Sequence, residues 1–149
     1  MSERDSGAER YLRVASSKVR YATRALVYLA AYGSGRNVSV REIASAESIP
    51  EKYLEVIVGE LRAAGVLESV KGKYGGFRLA RKPSRIRLTD LFEILEASSM
   101  NGPEETPGDP TPAVWSEINR RVTEIIGEYT IADALLAEER RRGVVNYTI

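Results

Sequence analysis

The sequence of 149 residues predicts a mainly α-helical fold with one small β-hairpin, and three observations carry this prediction. Three helical segments precede residues 66–79, where apolar residues alternate on either side of a turn that contains three glycines. Glycine tolerates the positive φ angles that tight hairpin turns require. Residues 70–88 also hold seven Lys or Arg and no Asp or Glu. Helices followed by a basic hairpin are typical of a winged helix-turn-helix, although the basic stretch taken alone also fits a solvated loop.

The composition fits an ordinary globular chain and excludes several classes of function. Hydrophobic residues make up 43% and charged residues 29% of the sequence, which is enough to build a core. No run approaches the roughly 20 apolar residues of a membrane span, and no signal peptide is visible, so we expect a cytoplasmic protein. The sequence has no Cys and no His, which removes thiolate ligands, iron–sulfur clusters and the commonest general base. An enzyme would depend on scattered carboxylates, so we predict a non-enzymatic protein without a metal or cofactor.

The charge is unevenly distributed along the chain. Residues 1–97 carry 17 Lys and Arg against 12 Asp and Glu, a net charge of +5. Residues 98–149 carry 5 against 9, a net charge of −4. A basic front half is typical of a protein that presents one end to a polyanion such as DNA.

Composition and pattern divide the chain into four parts. Residues 1–16 are a polar N-terminal arm, and residues 17–97 form the winged helix-turn-helix domain. Residues 98–112 form a linker loop, in which four of the chain's six prolines stand; its three carboxylates match no known metal loop. Residues 113–149 form a dimerisation helix and a C-terminal tail, which ends in a strand or without regular structure.

The first two helices begin at serine caps. Ser17 is the predicted N-cap of a first helix over residues 18–32, which is apolar on two sides. Ser39 and Glu42 have the spacing of a capping box and open a short second helix over residues 40–46.

The third helix has one apolar and one polar face. Ser48 is its predicted cap. The helix continues to Ala64, with Leu54, Ile57, Val58 and Leu61 facing the core. Its outward face carries Lys52, Glu55, Val56 and Gly59. In a helix-turn-helix such a face lies in the major groove, where Glu55 can accept from a cytosine amino group and Val56 can meet a thymine methyl. Without the neighbouring hairpin, an ordinary solvated face would be the better interpretation.

The remaining predicted DNA contacts come from cationic side chains and the hairpin turn. Lys71 or Lys73 is placed to enter the minor groove, while Lys18, Arg20 and Arg24 on the first helix are placed to meet phosphates. The complete predicted set is Lys18, Arg20, Arg24, Ser39, Lys52, Tyr53, Glu55, Val56, Lys71, Lys73, Tyr74, Gly75, Gly76 and Arg78.

The tail contains an apolar seam. After a fourth helix, predicted over residues 90–97 with Thr89 as its cap, helix restarts at Thr111 and Pro112. Its apolar residues repeat with a 3-4-3-4 spacing, which is typical of two helices packing side by side. We expect a homodimer through this helix, the alternative being that the helix folds back onto its own domain. The predicted dimerisation residues are Trp115, Ile118, Val122, Ile125 and Tyr129, and Thr130 and Asp133 cap a last helix that reaches Arg142.

Four segments together resemble the Rrf-two family of bacterial winged-helix regulators. They are YATRALVYLA, SVREIASAESIPEKYLE, LRAAGVLESVKGKYGGFRLAR and TDLFEILEA, and the likeness extends over residues 14–137. The resemblance implies a homodimeric transcriptional repressor that binds palindromic operators. It also implies that Glu55 reads bases, that Lys71 enters the minor groove and that Arg20 lies near the phosphate backbone. Val56 stands where the family usually has glutamine, which implies a different operator preference.

The chain departs from the family's cluster-binding members. Those members hold an iron–sulfur cluster through three cysteines after the fourth helix, where this chain has NGPEETPGDPTP. The resemblance is therefore to clusterless members, among them a repressor of cysteine metabolism that acts with a partner enzyme. A small-molecule or protein effector remains open, and so does a winged helix that binds an acidic protein instead of DNA.

Overall fold

The computed structural model describes residues 10–100 and 107–143. Residues 1–9 of the predicted N-terminal arm, the first half of the NGPEETPGDPTP loop (residues 101–106) and the C-terminal segment VVNYTI lie outside these residues. No helix in the described ranges is both long enough and apolar enough to cross a membrane. The α-helices are α1 (Ser17–Tyr32), α2 (Val40–Glu47), α3 (Glu51–Ala63), α4 (Leu88–Leu95), α5 (Pro112–Gly127) and α6 (Ile131–Arg141), the strands are β1 (Leu67–Val70) and β2 (Gly76–Leu79), and 3-10 turns span Pro83–Arg85 and Ala97–Met100.

One hydrophobic core holds the helices together. The predicted stripe of α3 is buried, with Leu54, Ile57, Val58 and Leu61 each at most 1% exposed. Helix α1 crosses this core and contacts α2, α3, α4 and α6. A helix in this position must be apolar on two sides, as the sequence predicted for α1. The buried residues of α1 are Val19, Ala22, Ala25, Leu26 and Leu29.

Two of the predicted helix caps are confirmed, and two are shifted by one residue or more. The Ser39 hydroxyl accepts from the Glu42 N–H at 3.1 Å and begins α2 as expected. Thr130 and Asp133 exchange the reciprocal bonds of a capping box at the start of α6. The N-cap of α1 is Ser16, whose hydroxyl accepts from Val19 N–H, and Ser17 is the first helical residue. Helix α4 begins at Leu88, and Thr89 is buried within it because this turn packs against Gly127.

The predicted cap of α3 at Ser48 is wrong, and the reason is the tight turn between α2 and α3. Ser48 ends α2 in the left-handed conformation, with φ at 54°, and its N–H bonds to the Ala44 carbonyl. Pro50 occupies the N-cap position of α3 without a side-chain hydrogen bond. The left-handed residue reverses the chain within three residues, which gives the helix-turn-helix its compact corner.

The hairpin has the predicted position and gains a third short edge. Leu67 pairs with Leu79 and Val70 with Gly76 in an antiparallel register. Val38, just before the N-cap of α2, forms a β-bridge with Phe77. The two residues exchange backbone N–H···O hydrogen bonds with N–O distances of 2.9 and 2.7 Å. The approach is so close that a Cβ on Gly76 would lie 2.6 Å from the Val38 carbonyl oxygen. The hairpin of β1 and β2, the wing of the winged helix, is therefore attached to the helices. An isolated two-stranded hairpin needs such support for stability.

The tail divides into a helix that docks and a helix that leaves its apolar residues exposed. Helix α6 packs against α1, its first residue Ile131 is fully buried, and the Ile131 N–H donates to the Ile86 carbonyl. The Arg142 guanidinium bonds to the Tyr32 hydroxyl and lies over that ring. Helix α5 contacts α4 but contains no buried residue. The helix of the tail that folds back onto the domain is thus α6, whereas the alternative of folding back was stated for α5.

Candidate nucleic-acid interface

The outward face of α3 is exposed along the turns that follow its N-terminus. Burial of the opposite stripe in the core forces Lys52, Glu55 and Val56 outward, because these residues lie on the other side of the same helix. All three are exposed, and Val56 retains 54% of its surface. A carboxylate, a small branched apolar group and an ammonium group thus share one face. This combination can accept from a base amino group, contact a methyl group and neutralise a phosphate.

Tyr53 flanks this face and is held in place by the first helix. Its ring meets Tyr21 of α1 edge to face, with 5.7 Å between the centroids and 82° between the planes. The edge-to-face contact fixes the ring, while the residue as a whole remains exposed. A hydroxyl held in this way can donate to a phosphate at little cost in side-chain entropy.

The tip of the wing exposes two lysines and a tyrosine. Lys71 and Lys73 are exposed, and Tyr74 retains 83% of its surface. The Lys73 ammonium lies 5.8 Å from the centre of the Tyr74 ring. The Asn37 side chain donates to the Tyr74 carbonyl at 3.2 Å and ties the tip to the loop before α2. Sequence reasoning missed Asn37, because 37 residues separate the two partners and no local pattern connects them.

The turn of the wing depends on glycine at the positions that the sequence singled out. Gly72 has φ at +115°, a region that residues with a Cβ rarely adopt. A Cβ on Gly75 would lie 2.2 Å from the Val70 carbonyl oxygen. Gly75 and Gly76 therefore shape the tip through their backbone, whereas Lys71 and Lys73 supply its charge.

Three of the predicted DNA-binding cations carry carboxylate partners in the free protein. Lys18 bonds to Glu60 of α3 at 2.9 Å, and Arg78 bonds to Glu68 across the hairpin at 2.9 Å. Arg24 reaches both the Glu47 carboxylate, at 3.4 Å, and the Glu47 carbonyl at the end of α2. The Arg24 and Arg78 pairs are exposed and contribute little stability, so a phosphate can compete for them. The Lys18–Glu60 pair is partly buried, with the Lys18 side chain 24% exposed. The four predicted cations outside these pairs, Arg20, Lys52, Lys71 and Lys73, are all exposed.

Ser39 and its neighbours form a network that joins α1 to the start of α2. The hydrogen bond from the Ser39 N–H to the Glu42 carboxylate, which a capping box would have, is replaced. The Glu42 carboxylate instead accepts from the two terminal guanidinium nitrogens of Arg36 at 2.9 and 2.7 Å and from the Tyr28 hydroxyl at 2.6 Å. The bonds from Arg36 and Tyr28 lower the pKa of Glu42 to about 2 from its usual 4.5. The same carboxylate raises the pKa of Tyr28 and of Arg36. The exposed Ser39 thus stands at a rigid corner beside the wing strand.

The predicted dimerisation residues lie along the exposed side of α5. Trp115, Ile118 and Ile125 keep 56%, 42% and 55% of their surface, and Val122 between them is half-buried. Tyr129 lies just beyond the last residue of α5 and is also exposed. Exposed large apolar side chains in a row form a patch that water solvates poorly.

Comparison with known proteins identifies the family. The family described as "Rrf2: Iron-dependent Transcriptional regulator" matches residues 15–137. Protein rrf2 of Nitratidesulfovibrio vulgaris is 34% identical over 130 residues, which cover 80% of this chain and 85% of that protein. Among solved structures, T. potens IscR superimposes with a TM-score of 0.76 at 32% identity, over 91% of this chain and 95% of that one. CymR (YrzC), the global cysteine regulator of B. subtilis, superimposes with a TM-score of 0.72 at 32% identity, over 85% and 98% of the two chains.

These matches span most of the chain, including α1, α2, α3, the wing and α5. The family model and the relatives CymR and IscR are described as transcriptional regulators. The resemblance noted from the sequence is thereby confirmed, and so are the winged-helix fold and the expectation of a non-enzymatic protein. The chain belongs to the Rrf2 family and is a DNA-binding transcriptional regulator with a winged helix-turn-helix domain.

Proposed function

We propose that two copies of this chain, joined through α5, bind a palindromic operator and act as a repressor. Each copy places α3 in a major groove and its wing in the adjacent minor groove. The observation that carries the proposal is the outward face of α3, whose Lys52, Glu55 and Val56 are exposed although the opposite stripe is completely buried. As a DNA-binding regulator, the protein would act in the cytoplasm, where a bacterial chromosome lies.

Sequence is read by Glu55 and Val56. A carboxylate accepts from the exocyclic amino group of cytosine, and a valine methyl packs against the methyl group of thymine. Lys52 and Tyr53 bind phosphates at the groove edge and set the depth of the helix. Ser39 and Arg20 supply further polar groups toward the backbone.

The wing supplies charge from a fixed position. The Asn37 hydrogen bond and the Val38 bridge hold the hairpin against the body, so Lys71 and Lys73 enter the minor groove without first being ordered. Narrow, A·T-rich minor grooves have an enhanced negative potential and attract such cations. Arg78, Lys18 and Arg24 add phosphate contacts only by exchanging their present carboxylate partners.

Dimerisation through α5 accounts for the palindrome. Two copies related by a twofold axis present two identical reading helices, so the DNA must repeat its half-site with inverted orientation. Trp115, Ile118, Val122, Ile125 and Tyr129 form the seam, and the seam buries the patch that one copy leaves exposed. Under this proposal residues 113–149 serve assembly, with α5 facing the partner, while α6 packs against α1 of its own domain.

The regulator works without an iron–sulfur cluster. The family carries the description "Iron-dependent", but thiolate ligation does not fit a chain that contains neither Cys nor His. The described ranges also contain no group of three Asp or Glu residues placed to hold a metal ion. Regulation instead comes from a small molecule or a partner protein. The similarity to the global cysteine regulator of B. subtilis favours sulfur metabolism as a second, narrower candidate.

Selection of genomic fragments by the purified protein, followed by footprinting, tests the proposal. The expected result is a shared inverted repeat, and fragments without any dyad would contradict it. A winged helix that binds an acidic protein would bind all duplexes alike and only at low salt.

Replacing Glu55 tests the reading face. Glu55→Ala should weaken binding to the selected operator by roughly 1–3 kcal/mol and relax the preference at one base pair of each half-site. Competition binding against operators with single base-pair changes measures both effects. An unchanged preferred site and affinity would place the reading face elsewhere.

Replacing Lys71 tests the wing. Lys71→Ala should weaken binding to all duplexes similarly. It should also make the fall of log affinity with log salt less steep, by about 0.9 for each copy of the wing. Fluorescence anisotropy at several salt concentrations measures this slope. Arg78→Ala is the matched control, because Arg78 is already paired with Glu68 and its loss should change the slope less.

A further inference from the structure

Gly59 is a glycine in the interior of α3 whose presence the protein itself does not require. Glycine is less favourable in a helix interior than any residue except proline. Its backbone is helical, without the positive φ that would demand glycine. Apart from its chain neighbours and the adjacent backbone of α3 itself, a Cβ built on Gly59 would meet no atom of the described residues within 4 Å, whereas the same atom on Gly33, Gly75 or Gly76 would lie within 2.6 Å of a backbone oxygen. The missing side chain therefore leaves space for something outside the chain.

The position of Gly59 indicates what occupies that space. Gly59 lies one helical turn beyond Glu55 and Val56 on the outward face of α3. In an α-helix each Cα–Cβ bond tilts toward the N-terminus, so a methyl group at position 59 would project over the turn that carries these two side chains. They are the groups assigned to base readout.

Resting on the proposed function, we infer that Gly59 is the point at which duplex DNA comes closest to the backbone of α3. A methyl group there would hold the helix away from the groove and lift Glu55 and Val56 from the base edges. Gly59 is thus a positioning residue for recognition. A second copy of the chain is a poorer occupant, because Lys52 and Glu55 on the same face are charged, whereas the apolar patch suited to a partner lies on α5.

Replacing Gly59 in the full-length protein separates this role from a structural one, because stability and binding should change in opposite directions. Gly59→Ala should raise the Tm by roughly 2–4 °C through helix propensity. It should also raise the Kd for the selected operator about tenfold, the size of one base-pair mismatch. Gly59→Leu, which retains good helix propensity, should lose more affinity because its side chain is larger. The control Asn119→Ala adds helix propensity on α5 outside the seam, so it should raise the Tm and leave the Kd unchanged.

The outcomes distinguish failure of this inference from failure of the proposed function. If wild-type protein prefers its operator and Gly59→Ala binds equally well, the inference about Gly59 is wrong and the proposed function stands. A lower Tm for Gly59→Ala would make the glycine structural and would also overturn the inference. If wild-type protein binds the selected and a scrambled duplex alike, the proposed function fails, and the inference fails with it.

Discussion

Helices α3 and α5 carry apolar stripes of similar spacing, but the two stripes have different surroundings. Leu54, Ile57, Val58 and Leu61 of α3 are buried in the core, where α3 contacts α1, α2, α4 and β1 of the same chain. Trp115, Ile118 and Ile125 of α5 remain exposed, because α5 contacts only α4 closely. Periodicity thus identifies the apolar face of a helix without identifying what covers it. The covering element depends on where the chain places the helix.

The largest expected effect comes from shortening a side chain in the α3 stripe. Leu61→Ala should lower the free energy of unfolding by about 2–5 kcal/mol, because it removes buried contacts and leaves a cavity. Urea denaturation at protein concentrations low enough to keep the chain monomeric measures the loss, because at higher concentrations dimer association would add to the apparent stability. Ile118→Ala is the matched truncation on α5 and should lower the stability of the monomer far less. Equal losses in the two variants would show that α5 is already buried in the monomer.

The next effect concerns the proposed dimer interface on α5. Trp115→Ala should weaken dimerisation by about 2 kcal/mol or more, roughly a 30-fold rise in the dissociation constant, since large aromatic side chains dominate such interfaces. Sedimentation velocity at several concentrations measures the shift toward monomer, with Asn119→Ala as the control on the same helix. A dimer of unchanged strength would move the interface away from the α5 seam.

The smallest expected effect comes from a polar contact, the hydrogen bonds that Glu42 forms with Arg36 and Tyr28, and not from an apolar stripe. The pKa of Glu42 is about 2 in the folded chain and 4.5 in the ordinary carboxyl, so the bonds to Arg36 and Tyr28 stabilise the fold above pH 4.5. This contribution should disappear as the pH falls from 4.5 toward 2. The Glu42 side chain keeps 35% of its surface, so solvent screening makes the loss modest.

Unfolding curves measured across this pH range, with Glu42→Gln as the control, test the assignment. The variant should lose the part of the pH dependence that Glu42 carries. Parallel curves for the variant and the wild type would show that Glu42 does not contribute. Sedimentation over the same pH range measures dimerisation through α5. Its strength should not follow the titration of Glu42, because the apolar side chains of the seam do not titrate.

Elements that depend on neighbouring residues were predictable. The stripe of α3, the glycine-rich turn of the wing and the cap formed by Thr130 and Asp133 lie within a few positions along the chain, and each appears in the structure where it was expected. The first residues of helices were less predictable where more than one polar residue could occupy the N-cap position. Ser16 caps α1 in place of Ser17, and Ser48 ends α2 where it was expected to begin α3.

The partners of charged and polar residues were not predictable. Lys18 pairs with Glu60 across 42 positions, and Asn37 holds the wing tip across 37 positions. The sequence placed Lys18, Arg24 and Arg78 in the predicted DNA-binding set, and the structure gives each of them a carboxylate partner. Only the distances between folded elements decide which cations are exposed.

The sequence by itself determined the order of elements, the apolar faces of the helices, the turn of the wing and the absence of cysteine chemistry. These properties follow from the periodicity of adjacent side chains, from backbone sterics and from composition. Only the tertiary structure decided that α6 docks on α1, that Val38 adds an edge to the wing, and that α5 keeps its apolar side exposed. Those contacts join residues that are distant along the chain, and their energies exist only after the core has brought the residues together.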